Sequence, residues 1–117
     1  MKTLRIEQCS FGVLVINGET YTDDLIILPD GKILKPWWRQ RGHQLTTVDL
    51  EKLLNASPEV IIAGTGVSGG VKPDHNLKKN LSLLAIELIA EPNEKAIKIF
   101  NKLPPEKRVG ACFHLTC

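Results

Sequence analysis

The chain has 117 residues, and its 15 Lys and Arg against 13 Asp and Glu leave a formal net charge of +2. With 43% hydrophobic and 24% charged residues, the composition is typical of one folded domain over residues 1–117 and excludes a disordered chain. The small net charge excludes a strongly basic nucleic-acid-binding protein, so we expect no nucleic-acid partner.

The termini and the cysteines indicate the compartment. The N-terminal residues lack an apolar stretch of signal-peptide length, and no apolar run approaches the roughly 20 residues of a membrane helix. We therefore expect a cytoplasmic protein with no membrane partner. Cys9, Cys112 and Cys117 lack metal-ligand spacing. We expect them to be free thiols, with no metal site and no cofactor.

The first third of the chain predicts a run of β-hairpins, because short apolar stretches alternate there with turn residues. Asn17-Gly18 is a strong tight-turn pair, since both residues tolerate a positive φ. The predicted strands cover residues 6–9, 13–16, about 21–28 and 32–35.

The second half predicts strands alternating with helices. Val60–Ala63 is an unalternated apolar run, which is typical of a strand that is covered on both faces. Further strands are predicted at residues 86–89 and 109–115. Parallel strands with right-handed helical crossovers are the default for this order. The predicted fold class is therefore α/β with three layers, in which helices pack on a central mixed sheet beside a β-hairpin layer.

Three helices are expected between these strands. Thr46 is the predicted N-cap of the first, with Asp49 accepting hydrogen bonds at its N-terminus. Asp74 is the predicted cap of the second, which has Leu77, Leu81 and Leu84 on its inward face. The third is expected to start at Pro92-Asn93.

The first candidate site is the glycine-rich loop after the buried strand, which covers Gly64–Pro73. Ligands of open α/β sheets bind beyond the carboxyl ends of strands, and glycines allow backbone N–H groups to face an anion. A dinucleotide site is not expected, because Gly70–Pro73 interrupts the chain before a helix can begin. Two interpretations stay open, a plain strand-to-helix loop and a pocket for a small anion or carboxylate. The residues of that pocket would be Gly64, Thr65, Gly66 and Ser68, with Arg108 as an anion clamp.

The second candidate site is an aromatic and basic segment with no periodicity. Trp37 and Trp38 are neighbours that cannot easily point the same way, so we expect one to pack over the core. The other, with Arg39 and Arg41, would contact a protein partner or an anion. In the alternative interpretation the tryptophans close the sheet edge and the arginines are solvated.

No combination of residues in the sequence gives strong evidence of a catalytic site. Cys112 and His114 share one face of the last strand, but Cys112 is expected to be buried and inert. Asp23 and Asp24 are neighbours in a predicted strand and would point to opposite faces. We therefore name no catalytic residue and treat the chain as more consistent with a non-enzyme.

Three segments carry a resemblance to a known family. They are Ile61-Ile62-Ala63-Gly64-Thr65-Gly66, residues 96–103 with the sequence AIKIFNKL, and residues 108–117 with the sequence RVGACFHLTC. Together they resemble the Mth-domain family, a domain of unknown function found in prokaryotes and in a mitochondrial assembly factor of respiratory complex I. The resemblance implies a three-layer α/β fold and no established reaction.

The resemblance also marks individual positions. This chain departs from the family pattern at Phe100, where a Tyr is usual, and at Asn93, where a Thr is usual. The positions that the resemblance marks here are Gly64, Thr65, Gly66, Ala96, Asn101, Arg108, His114 and Cys117.

Two hypotheses about function follow. The first is a non-enzymatic binding or assembly-type module with an unidentified protein partner, contacted through the Trp37–Arg41 segment. The second is a protein that binds a small molecule or anion, as an enzyme or otherwise, at the Gly64-Thr65-Gly66 loop. Both a monomer and a homodimer remain open, since hairpin layers leave strand edges that a second chain can cover.

Overall fold

A computed structural model describes residues 4–40 and 42–116, so the expectations for Arg41 and Cys117 lie outside the described residues. The strands in this part are β1 (Ile6–Ser10), β2 (Val13–Ile16), β3 (Glu19–Tyr21), β4 (Leu25–Ile27), β5 (Ile33–Leu34), β6 (Gln44–Leu45), β7 (Val60–Gly64), β8 (Lys72–Pro73), β9 (Glu87–Glu91) and β10 (Val109–Phe113). The helices are α1 (Glu51–Asn55), α2 (His75–Leu83) and α3 (Asn93–Lys102), with a 3₁₀ turn at Val48–Leu50 before α1. None of these described helices is long and apolar enough to cross a membrane.

The predicted hairpin layer is an antiparallel sheet in the order β1-β2-β3. Asn17 and Gly18 join β2 to β3 with φ angles of 49° and 81°, so the predicted tight turn is confirmed. Asn101 of α3 holds this layer in place. Its Oδ1 accepts from the Ile6 N–H at 3.0 Å, and its Nδ2 donates to the Ile6 carbonyl at 2.8 Å.

The central sheet has five described strands in the order β5-β4-β10-β7-β9. β10, β7 and β9 are parallel, whereas β4 and β5 are antiparallel to their neighbours, so the predicted mixed sheet is confirmed. β7 is buried along its whole length, as its unalternated apolar sequence predicts.

Two apolar clusters make up the core, one on each face of the central sheet. Val60 and Ile62 of β7 point to the face covered by the hairpin layer and α3. Ile61 and Ala63 point to the opposite face, which α1 and α2 cover through residues such as Leu53. This arrangement is the predicted three-layer α/β fold.

The helix termini agree with the sequence only in part. Asp74 Oδ1 accepts from the Leu77 N–H at 2.7 Å, which confirms the cap of α2. The predicted cap at Thr46 is wrong, because a 3₁₀ turn with Thr47 at its N-cap precedes α1. The predicted acceptor role of Asp49 is confirmed, since its Oδ2 accepts from the Thr46 N–H at 2.9 Å. The predicted inward position of Leu84 is also wrong. α2 ends at Leu83, and Leu84 follows it in the turn toward β9, where its side chain is exposed.

The predicted strand over residues 21–28 is wrong because it is broken into β3 and β4, which belong to different sheets. Asp24 lies in the break, where its carboxylate accepts from the Leu115 N–H at 2.8 Å. Asp24 belongs to neither strand, and the chain passes there from the hairpin layer into the central sheet.

Candidate functional site

The carboxyl ends of three parallel strands meet at one edge of the central sheet. Gly64 ends β7, and it lies beside Phe113 of β10 on one side and Glu91 of β9 on the other. The segments that follow these strands are therefore brought together in space. They are the glycine-rich loop, Pro92-Asn93 and the C-terminal residues from His114.

The glycine-rich loop is closed by hydrogen bonds to these neighbours. The Thr65 N–H donates to the Glu91 carbonyl at 3.0 Å, and the Val67 N–H donates to the Thr116 carbonyl at 3.2 Å. Gly64, Thr65 and Gly66 are buried, whereas Ser68 is exposed. The N–H groups of Thr65 and Val67 thus already have acceptors within the protein.

Asn93 links the loop to the C-terminal segment. Its side chain is buried, its Oδ1 accepts from the Gly66 N–H at 3.1 Å, and its Nδ2 donates to the His114 carbonyl at 2.7 Å. A Cβ added at Gly64 would collide with Asn93 and with the Phe113 ring. The close approach at Gly64 therefore requires glycine for packing.

Arg108 is not part of this site. It directly precedes Val109, which pairs with Val60 at the opposite end of the two strands from Gly64. Its Nε donates to the Ser57 carbonyl at 3.0 Å, and its N–H donates to Glu59 at 2.9 Å. The expected clamp of Arg108 on the glycine-rich loop is therefore not formed, since the parallel register separates the two by the length of a strand.

A cluster of charged and polar side chains lies beside the closed loop. The Asp24 carboxylate is 3.0 Å from Arg39 Nη1 and 2.7 Å from His114 Nδ1. The Arg39 side chain is only 7% exposed, so its expected position at a partner surface is wrong. Because the Asp24 carboxylate is available as an acceptor inside the fold, the guanidinium is drawn inward.

The hydrogen bonds of this cluster indicate one tautomer of His114. Asp24 Oδ2 can only accept, so the 2.7 Å contact places a proton on Nδ1. On the other side of the ring, Nε2 lies 3.2 Å from the Thr116 hydroxyl oxygen. Arg39 Nη2 lies 2.9 Å from the same Nδ1 and cannot donate to it in this state, so Arg39 is held mainly by Asp24.

The electrostatics of Asp24 reflect these contacts. Burial by itself raises the pKa of this carboxyl group, but hydrogen bonds from His114, the Leu115 N–H and Arg39 lower the pKa below its ordinary value overall. Asp24 is thus an ionised acceptor that joins three parts of the chain. They are the break before β4, the segment that contains Arg39, and the end of β10.

The same cluster fixes the tryptophan segment. The Trp37 N–H donates to the Asp24 carbonyl at 2.8 Å, and Trp37 Nε1 donates to the Asp49 carbonyl at 2.9 Å. The Arg39 guanidinium stacks 5.0 Å from the centre of the Trp37 ring. Trp37 is buried and Trp38 is 81% exposed, so the expectation of one packed and one exposed tryptophan is confirmed.

A groove of about 300 Å³ opens beside Trp38. Its apolar wall is formed by Leu34, Pro36, Trp38 and Val48, and Val48 is itself exposed. We call this feature the Trp38 groove. It is the place where residues of the predicted partner-binding segment lie at the surface.

Comparisons with known proteins identify the class. The model of a family described as "Protein of unknown function (DUF498/DUF598)" matches residues 6–114, so the chain belongs to this family. A search of curated protein sequences gives no match. The resemblance to the Mth-domain family is confirmed by solved structures of the same fold.

Three of these solved structures show how similar the chain is to proteins of known structure. A conserved hypothetical protein from Pyrococcus horikoshii is 30% identical with a TM-score of 0.81, and the match covers 97% of this chain and 99% of that one. The protein MT938 is 28% identical with a TM-score of 0.81, over 98% of this chain and 100% of that one. A Mth938-like domain from Bordetella pertussis shares the fold with 17% identity and a TM-score of 0.67, over 95% and 85% of the two chains.

The sequence did not predict the polar cluster that Asp24, Arg39 and His114 form. The sequence presents Asp24 only as half of a carboxylate pair, and it presents Asn93 as the start of the third helix and a departure from the family pattern. The resemblance marks His114, and the aromatic and basic segment contains Arg39, but neither signal connects the two residues. Asp24, Arg39 and His114 lie in three separate segments of the sequence, and no local spacing connects them.

Proposed function

We propose that this protein is a non-enzymatic binding module, and that another protein docks an apolar side chain into the Trp38 groove. The single observation behind the proposal is that Trp38 is 81% exposed while the residues on either side of it are held by internal bonds. Surface exposure of a lone large side chain is common. Here it occurs on an anchored segment beside a groove with apolar walls.

The anchoring favours binding on energetic grounds. Ordering a flexible loop at an interface costs free energy, and a segment that is already held reduces that cost. Trp37 is fixed by Asp49, and the Gln40 N–H donates to Asp49 Oδ1 at 3.0 Å. Trp38 is therefore presented between two fixed neighbours, and tryptophan is enriched among the residues that dominate binding energy.

The charged side chains at the Trp38 groove suggest which charges surround the apolar side chain of the partner. Lys52 and Glu51 line the groove, and both are exposed. A partner with a carboxylate and a cation beside its apolar side chain would complement this pair. The alternative, an anion site at the glycine-rich loop, has less support because the Thr65, Gly66 and Val67 N–H groups are occupied.

The test compares two exposed aromatic residues. Tagged wild-type protein, Trp38→Ala and Phe11→Ala are used to capture proteins from cells, and a stoichiometric partner is then purified and titrated calorimetrically. Phe11 is the matched control because it is 68% exposed in the turn between β1 and β2. We expect Trp38→Ala to weaken binding by about 30-fold or more, the range of an interface hot spot, with Phe11→Ala unchanged.

Two results would contradict the proposal. One is a partner that binds wild type and Trp38→Ala with the same affinity. The other is the absence of any stoichiometric partner together with turnover of a small molecule. Circular dichroism and thermal melts of all three proteins keep the comparison valid, since neither exposed side chain contributes to the core.

A further inference from the structure

The outer strand of the central sheet has one unpaired side. β9 lies at the end of the strand order, opposite β5, and within the described residues it pairs only with β7. An unpaired strand edge presents N–H and C=O groups to which another extended chain can add.

The direction of the backbone groups can be read from two hydrogen bonds. The Glu87 N–H donates to the Glu59 carbonyl at 3.0 Å, and the Glu91 carbonyl accepts from the Thr65 N–H at 3.0 Å. Both groups therefore face β7. Because backbone groups of successive strand residues face opposite sides, Leu88 and Ala90 direct theirs outward, and no described residue bonds to them.

A groove of about 560 Å³ runs along this edge, between α2 and β9. Leu81 of α2 and Leu88 of β9 are among its apolar lining residues. Leu83, the last residue of α2, and Leu84, in the turn that follows, are 76% and 58% exposed. An added strand would thus find apolar contacts as well as backbone partners.

The charges on β9 decide between occupants. The strand reads Glu87-Leu88-Ile89-Ala90-Glu91, and an antiparallel second copy centred on Ile89 would place Glu87 opposite the partner's Glu91 at both ends. Like charges directly opposite each other destabilise strand pairing. A second copy of this chain is therefore disfavoured, and an added strand with a basic residue at each end is favoured.

Nearby cations do not remove this preference. Lys95 lies 3.6 Å from Glu91, but its side chain is 66% exposed, and such a surface pair is weak. Lys78 lines the α2 side of the groove, and Glu87 is exposed at the start of the strand. The two carboxylates thus remain available at the ends of the edge.

We propose that the outer edge of β9 accepts an extended segment of another protein with a basic–apolar–apolar–apolar–basic pattern, by addition of a strand to the central sheet. The β9 sequence has the same pattern of charge and hydrophobicity in both directions, so the added segment fits either parallel or antiparallel. This surface is separate from the Trp38 groove. That groove includes Leu34 of β5, at the other edge of the sheet.

The test is an NMR titration of the ¹⁵N-labelled protein with a capped peptide, Lys-Val-Ile-Val-Lys flanked by serines. We expect the amide signals of Leu88 and Ala90 to shift and their hydrogen exchange to slow. A peptide with Glu in place of both Lys should bind at least about 5-fold more weakly. A Lys peptide that is N-methylated at its three apolar residues should not bind, because it cannot donate to the edge.

A charge-reversed protein is the matched control. Glu87→Lys with Glu91→Lys should exchange the preference and bind the Glu peptide better than the Lys peptide. The proposal is overturned if no shift occurs at Leu88 or Ala90 with millimolar peptide, or if the N-methylated peptide binds equally well. It is also overturned if the protein forms a dimer through β9. All of these measurements are independent of Trp38, so their failure is distinct from failure of the proposed function.

Discussion

Replacing Asp24 with Asn tests the role of the polar cluster most directly. The carboxylate accepts from Arg39, from His114 and from the Leu115 N–H, at distances of 3.0, 2.7 and 2.8 Å. Asn keeps one acceptor oxygen, loses the charge, and turns an NH₂ group toward these donors. Each hydrogen bond to a charged group contributes about 1.5–3 kcal/mol. Because the Asp24 side chain is 21% exposed, water replaces part of this loss.

We therefore expect Asp24→Asn to lower the free energy of unfolding by about 2–3 kcal/mol at pH 7. For a chain of this length that corresponds to a decrease in Tm of about 10 °C. Asp23→Asn is the matched control, since Asp23 is the exposed neighbour, and its effect should stay within about 0.5 kcal/mol.

The pH dependence supplies an independent readout. The folded-state pKa of Asp24 lies below its ordinary value of 3.8, so its contribution is complete above that pH and is lost as the pH falls through the folded-state pKa. The stability difference between wild type and Asp24→Asn should therefore shrink below about pH 4. Urea titrations at pH 7, 4 and 3 measure it. A difference below about 0.5 kcal/mol at pH 7, or one that does not change with pH, would refute the reasoning.

Three further predictions concern the packing around the site. Gly64→Ala should destabilise the fold by about 1–3 kcal/mol or more, measured by urea denaturation, because the new Cβ collides with the Phe113 ring. Trp37→Ala should cost about 3–5 kcal/mol in the same assay, and an effect near zero would show that this side chain does not anchor its segment. Burial raises the pKa of the Cys112 thiol far above its ordinary value. Iodoacetamide at pH 8 should therefore modify Cys9 at least about 100-fold faster than Cys112, as peptide mapping would detect.

Much of the fold is encoded locally and was predictable. The unalternated run of β7 predicts burial on both faces because a strand without polar positions has no face to give to water. Asp74 predicts the start of α2 because its carboxylate satisfies a free N–H group of the first turn. The pair Trp37-Trp38 predicts one buried and one exposed ring, since neighbours on a segment cannot share one environment.

The candidate site depended on contacts between distant segments. Asp24, Arg39 and His114 meet only because β4 and β10 pair in the central sheet and the segment after β5 folds back over their ends. For the same reason Arg108 is separated from the glycine-rich loop by the length of a strand.

The sequence by itself therefore determined the class of fold, the buried strand and the division of the two tryptophans into one buried and one exposed ring, because periodicity and local hydrogen bonding act over a few residues. Only the tertiary structure decided that the glycine-rich loop is closed, that Arg39 faces inward, and that the outer edge of β9 is open. These outcomes depend on which strands become neighbours, and strand order is set by the packing of the whole chain.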